Sequence, residues 1–119
     1  MSDCNALVER YFALWNETDP ARRRGLIAST FTKAASYVDP LGASEGHDAI
    51  DGMVEAVQHR FRGHSFRRAG EVDGHHDRIR FCWELAADGG PVVAKGTDFA
   101  TVAGARLAAV TGFIDQMPD

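Results

Sequence analysis

The sequence predicts an α+β domain in which three N-terminal helices pack on one face of a sheet built mainly from the C-terminal half. Two observations carry this. Apolar residues recur at helical spacing over most of the first sixty positions, and after Gly63 the period changes to two. Turn signals at Gly74, Asp88-Gly89-Gly90-Pro91 and Ala103-Gly104 then divide the rest into segments of strand length. The chain has 119 residues, 45% of them hydrophobic, which suits one core, and a single domain over 1–119 is expected.

Residues 3–17 read as the first helix, with Leu7, Val8, Tyr11, Phe12 and Trp15 on one stripe. Asp19-Pro20 supplies an N-cap and a proline at the first helical position. The second helix runs to about Thr30 with Leu26 and Ile27 inward. Phe31 to Asp39 is extended, and Pro40 biases Asp39 towards a β conformation. Gly42 to Gly46 is expected to be a loop. A third helix covers 47–60, with Ile50, Met53, Val54 and Val57 as its apolar stripe. Ser65 to Asp73 begins the meander. In the next strand Ile79, Phe81, Trp83 and Leu85 alternate with Arg80, Cys82, Glu84 and Ala86, the pattern of a half-buried strand. Val92 to Val102 and Ala105 to Asp115 complete the sheet.

Composition excludes several functions. The formal net charge of -4 argues against nucleic acid as a main partner. The basic run Arg22-Arg23-Arg24 lacks interleaved aromatics and reads as a solvated helix face. No apolar run approaches the roughly 18 residues of a membrane span. Charges at Asp3, Glu9, Arg10, Glu17 and Asp19 leave no signal-peptide core, so a cytoplasmic protein with no membrane partner is expected. Cys4 and Cys82 read as free thiols, and no Cys or His spacing matches a zinc site, so no metal or cofactor is expected.

Three residues stand out as carriers of chemistry. Tyr11 lies on the apolar stripe of the first helix, and a buried phenol needs a hydrogen-bond partner. It is either a donor to a developing oxyanion or a core tyrosine. Asp39 precedes Pro40 at a strand end and is either a base in an apolar pocket or the cap of an Asp-Pro turn. Asp98 sits inside a strand among Ala94, Gly96, Ala100 and Val102, all small or apolar on its own face. A carboxylate there is protonated, paired or part of a site, with Arg80 and Arg106 as candidate partners. His76 after Gly74 is a turn histidine or a pocket acid–base group. Asp115, near the end of the last strand, faces the pocket mouth or caps the chain's end. Trp15 and Phe61 are candidates for the wall of a substrate pocket, with Phe81, Trp83 and Phe113 as core or wall.

Several segments together resemble the nuclear transport factor 2-like superfamily and its SnoaL-like and ketosteroid isomerase-like members. They are Val8-Glu9-Arg10-Tyr11-Phe12 with Trp15-Asn16 and Asp19, Tyr37-Val38-Asp39-Pro40-Leu41-Gly42, Gly46 to Ile50, Gly96-Thr97-Asp98-Phe99, and Arg106-Leu107 through Gly112-Phe113. The resemblance implies a cone-shaped roll, in which a strongly curved, mixed sheet is closed by the helices around a pocket. It also implies a homodimer formed through the outer sheet face. By similarity to ketosteroid isomerase, Asp39 would be the general base, with Tyr11 and a protonated Asp98 as oxyanion donors. The implied ligand is small, hydrophobic or carbonyl-containing, and the implied reaction is an isomerisation or cyclisation. Trp15, His76, Arg80, Phe61 and Asp115 are the expected substrate contacts. Two other readings stay open: a binding or dimerisation domain without chemistry, and an Asp–Arg–Asp set through Arg80 resembling the limonene-epoxide hydrolases.

Overall fold

The computed structural model describes residues 2–118. Its elements run α1 (Ser2–Asn16), α2 (Pro20–Thr30), β1 (Phe31–Asp39), β2 (Gly42–Glu45), α3 (His47–Arg60), β3 (His64–His75), β4 (Arg78–Ala87), β5 (Val92–Ala103) and β6 (Arg106–Gln116). The six strands form one sheet in the order β2-β1-β6-β5-β4-β3. Four of the five pairings are antiparallel, and β1 runs parallel to β6. Chain order therefore does not match sheet order: the early strand β1 inserts beside the last strand, with α3 and the β3–β5 meander between them in sequence.

The helices form where the pattern requires. Leu7, Val8, Tyr11, Phe12, Leu14 and Trp15 of α1 are buried. Asp19 caps α2 by accepting the Arg22 amide at 2.9 Å, and Pro20 opens the helix. Ile27 of α2 and Ile50 and Val54 of α3 are fully buried, with Leu26, Met53 and Val57 packed against the same cluster. Arg23 departs from the solvated face expected of its run. It is 1% exposed, and its guanidinium donates to Asp51 at 2.6 Å, Glu55 at 2.9 Å and Gln58 at 3.0 Å. Those acceptors lie on α3, so one arginine fastens α2 to α3. The neighbouring Arg22 and Arg24 are exposed.

Two boundaries differ from expectation. The segment expected as a loop contains β2, which pairs with β1 from Ser36↔Glu45 to Asp39↔Gly42. Gly42-Ala43-Ser44-Glu45 has no apolar alternation to announce a strand, because backbone pairing at a sheet edge holds it rather than side-chain burial. Gly74 stays within β3, and the turn falls at His76-Asp77, where His76 takes a left-handed φ of 52°.

The sheet is curved and not closed. Register shifts interrupt β3 against β4 between Ala69 and Asp73, and β5 against β6 at Lys95/Gly96 and Thr101/Val102. Such bulges bend a strand and increase its twist. The inner face carries Ile79, Phe81, Leu85, Ala94, Ala100, Leu107 and Val110 into the core beneath the helices. The outer face leaves Phe99 and Phe113 exposed, their ring centroids 5.8 Å apart. No helix is long and apolar enough to cross a membrane.

Candidate functional site

Strand parity sets the orientation of Asp98. On β5, Ala94, Gly96, Asp98 and Ala100 are buried, whereas Lys95 and Phe99 between them are exposed. Asp98 is 2% exposed. Neither Arg80 nor Arg106 pairs with it. Tyr11 Oη donates to Oδ2 at 2.7 Å, and the Trp83 indole Nε1–H donates to Oδ1 at 3.1 Å. Burial pushes the carboxyl up from 3.8 to about 6; the bonds from Tyr11 and Trp83 oppose this, and the nearby charge of Asp39 adds to it. The Tyr11 phenol is itself pushed well above its ordinary range by burial and by Asp98. Its ring is fixed by edge contacts with Phe81 at 5.3 Å and Phe31 at 6.1 Å.

Asp39 does what an Asp-Pro turn leads one to expect and also reaches the site. Its Oδ1 accepts the amides of Leu41 at 2.8 Å and Gly42 at 3.1 Å, which fixes the β1–β2 turn. Its Oδ2 accepts the Tyr37 hydroxyl at 2.8 Å. Burial, then Asp98 and Asp39, push the Tyr37 phenol far up, so it stays a hydrogen-bond donor. Tyr37 was not singled out in the sequence. It lies two residues before Asp39 on the same strand, so period-two reasoning places both on one face.

Asp39 and Asp98 come together around residue 112, which has no side chain. A Cβ at Gly112 would stand 2.9 Å from Asp98 Oδ1, 3.3 Å from Asp39 Cβ and 3.4 Å from Tyr37 Oη. Gly96 makes the same kind of room for Trp83. A Cβ there would collide with the indole and lie 2.6 Å from the Phe113 carbonyl oxygen. These glycines on adjacent strands bring both Asp98 and its indole donor into place.

The acids border a cavity of about 270 Å³. Trp15, Met53, Val57, Phe61, Phe66 and Trp83 give it apolar walls; Tyr11, Tyr37, Asp39 and Asp98 are polar groups on its lining, and Arg60 also borders it. Of the residues expected to act in catalysis or contact substrate, Tyr11, Asp39, Asp98, Trp15 and Phe61 therefore border one space. Three do not. Arg80 points to the outer face and pairs with Asp73 at 2.7 Å, because Ile79 and Phe81 take the inner positions of β4. The Asp–Arg–Asp set accordingly does not form. His76 is exposed in the β3–β4 turn, away from this cavity. Asp115 accepts the Thr97 hydroxyl at 2.8 Å, and Thr97 alternates with Asp98, so this bond lies on the opposite face. Among the described residues, no three His, Cys, Asp or Glu side chains converge to hold a metal ion.

The family profile described as a SnoaL-like domain matches residues 8–110. Curated proteins yield no match. Among solved structures, the chain is similar to a SnoaL-like family protein from Agrobacterium tumefaciens, provisionally assigned as an isomerase. That likeness has 39% identity and a TM-score of 0.92, over 97% of this chain and 99% of that one. A provisionally assigned SnoaL-like polyketide cyclase from Jannaschia sp. CCS1 shares 20% identity at a TM-score of 0.70, over 92% of this chain and 85% of that one. A provisionally assigned ketosteroid isomerase from Kribbella flavida shares 16% identity at a TM-score of 0.72, over 99% and 82%. At these identities the last two speak for the fold alone.

Proposed function

The chain belongs to the SnoaL-like domain family, and from that premise we propose that it is a cofactor-independent acid–base enzyme that removes a proton next to the carbonyl of a small apolar compound. The observation that carries this is the meeting of Asp39 and Asp98 around Gly112 at an otherwise largely apolar cavity. Two carboxylates in one site divide the roles when their surroundings separate their protonation. Asp98 is the one that keeps the proton: burial disfavours its charged form, and the charge of Asp39 adds to this. A neutral ligand that displaces water from the cavity increases that desolvation.

Protonated Asp98 then donates to the substrate carbonyl oxygen. Asp39, half-buried on the cavity lining, takes the proton from the adjacent carbon. The C–H electron pair moves into the carbon–carbon bond, and the carbonyl oxygen gains the negative charge that Asp98 stabilises. Tyr11 holds Asp98 in position from Oδ2, and Tyr37 holds Asp39. Return of the proton to a different carbon completes an isomerisation; attack of the carbanion on a second carbonyl completes a cyclisation. The isomerase assignment of the similar Agrobacterium protein supports the first outcome, which shares its opening step with the second.

The test is deuterium uptake from D₂O next to the carbonyl of a cyclic enone, followed by NMR. Asp39→Asn is expected to lower the exchange rate by about 10²–10⁴-fold, the usual contribution of a positioned base. The kcat/KM of the wild type is expected to fall as pH rises through about 6, because the protonated form of Asp98 is the active one. Undiminished exchange in Asp39→Asn refutes the assignment. A rate that climbs through that pH makes Asp98 the base instead. Binding of the enone without exchange in the wild type leaves a ligand-binding domain.

A further inference from the structure

The charges bordering the cavity are unequal in kind and place. Asp98 is buried, Asp39 is half-buried, and the remaining charged residue on the lining, Arg60, is exposed. Arg60 ends α3, and its guanidinium lies over the Phe61 ring at 5.2 Å from the centroid. Phe61 is itself a wall residue, so this contact holds the cation at the rim. Among the described residues no carboxylate lies within 4.0 Å of Arg60. The other arginines of α2 and the sheet that form ion pairs do not line this cavity.

We propose that Arg60 selects substrates that carry a carboxylate at the end remote from the reacting carbonyl, so that the substrate class is a keto acid with an apolar body. The charge of Asp39 repels an anion from the interior, and Arg60 attracts it at the mouth. The two effects orient such a molecule one way, with its neutral carbonyl inward. An apolar ketone without the acid group has no such polarity. This inference rests on the proton-abstraction reading for the position of the carbonyl, but the anion preference is measurable without turnover. A basic residue in the last turn of a helix also complements the helix dipole, and that role alone produces no preference between ligands.

The probes are 4-acetylbenzoate and its methyl ester, which place an apolar ring between an enolisable ketone and the acid group and differ in charge. Calorimetric titration of the wild type is expected to give a Kd about three- to fivefold lower for the acid than for the ester, the range of an exposed ion pair. Arg60→Gln abolishes the preference, Arg60→Glu inverts it, and Arg60→Lys keeps most of it. The preference shrinks as salt is raised from about 0.01 M to about 1 M, where the screening length falls from about 30 Å to about 3 Å. An acid-to-ester ratio that is the same in wild type and Arg60→Gln overturns the proposal. Deuterium exchange separates the two claims. Exchange on both probes without an Arg60-dependent ratio refutes the role of Arg60 alone. An Arg60-dependent ratio without exchange on either probe refutes the proton-abstraction reading alone.

Discussion

Replacing Asp98 with Asn should make the protein more stable at neutral pH relative to acid pH, while removing its activity. The carboxyl titrates near 3.8 in an unfolded chain and at about 6 in the folded one. Below the lower value it is protonated in both states and costs nothing. As pH rises through that window the unfolded chain releases its proton first, and stability falls until the folded form has also ionised. The shift from 3.8 to about 6, at 1.36 kcal/mol per unit, is on the order of 3 kcal/mol. Asparagine has no such titration. It does weaken the bonds from Tyr11 and Trp83, a pH-independent loss of about 1–2 kcal/mol. The mutant should therefore be the less stable protein near pH 4 and the equal or more stable one near pH 7.5. Urea unfolding of both proteins across that range, with the slope m held common, reads the difference directly. Other groups that titrate there cancel between the two proteins. Stability curves that run parallel from pH 4 to 7.5 would refute the argument that burial sets the proton affinity of Asp98.

Three further substitutions have distinct expected outcomes. Trp83→Phe removes the donor to Asp98 Oδ1, which favoured the charged form. The high-pH limb of kcat/KM should therefore move to higher pH, and an unmoved limb would mean that the indole bond does not bear on Asp98. Arg23→Ala removes the cation that joins α2 to Asp51 and Glu55. Because Glu55 is half exposed and regains water, the loss should sit at the low end for a broken buried pair, about 3 kcal/mol. That corresponds to a fall in Tm on the order of 10 °C in a thermal melt. Arg24→Ala, at an exposed position of the same run, should change stability by less than about 0.5 kcal/mol.

Much of the architecture was written in local pattern. The stripe through Leu7, Tyr11 and Trp15, the Asp19-Pro20 helix start and the alternation from Ile79 to Leu85 each follow from the 3.6- and 2-residue geometry of the backbone, which a sequence displays directly. The same parity already marked Asp98 as a carboxylate on an apolar face, and it set Arg80 opposite Phe81. Other features depended on residues far apart in the chain. Nothing within the run Arg22-Arg23-Arg24 distinguishes the middle arginine, which is buried only because acceptors on α3 arrive beside it. No spacing announces β2, whose partner is the backbone of β1. The donors to Asp98 come from α1, 87 positions away, and from β4, 15 positions away. Asp39 meets Asp98 only because β1 crosses over to lie parallel to β6 and brings its end to Gly112. Orientation is a property of each strand and can be read from its sequence, whereas the meeting of two side chains requires a pairing and a register that only the folded chain sets.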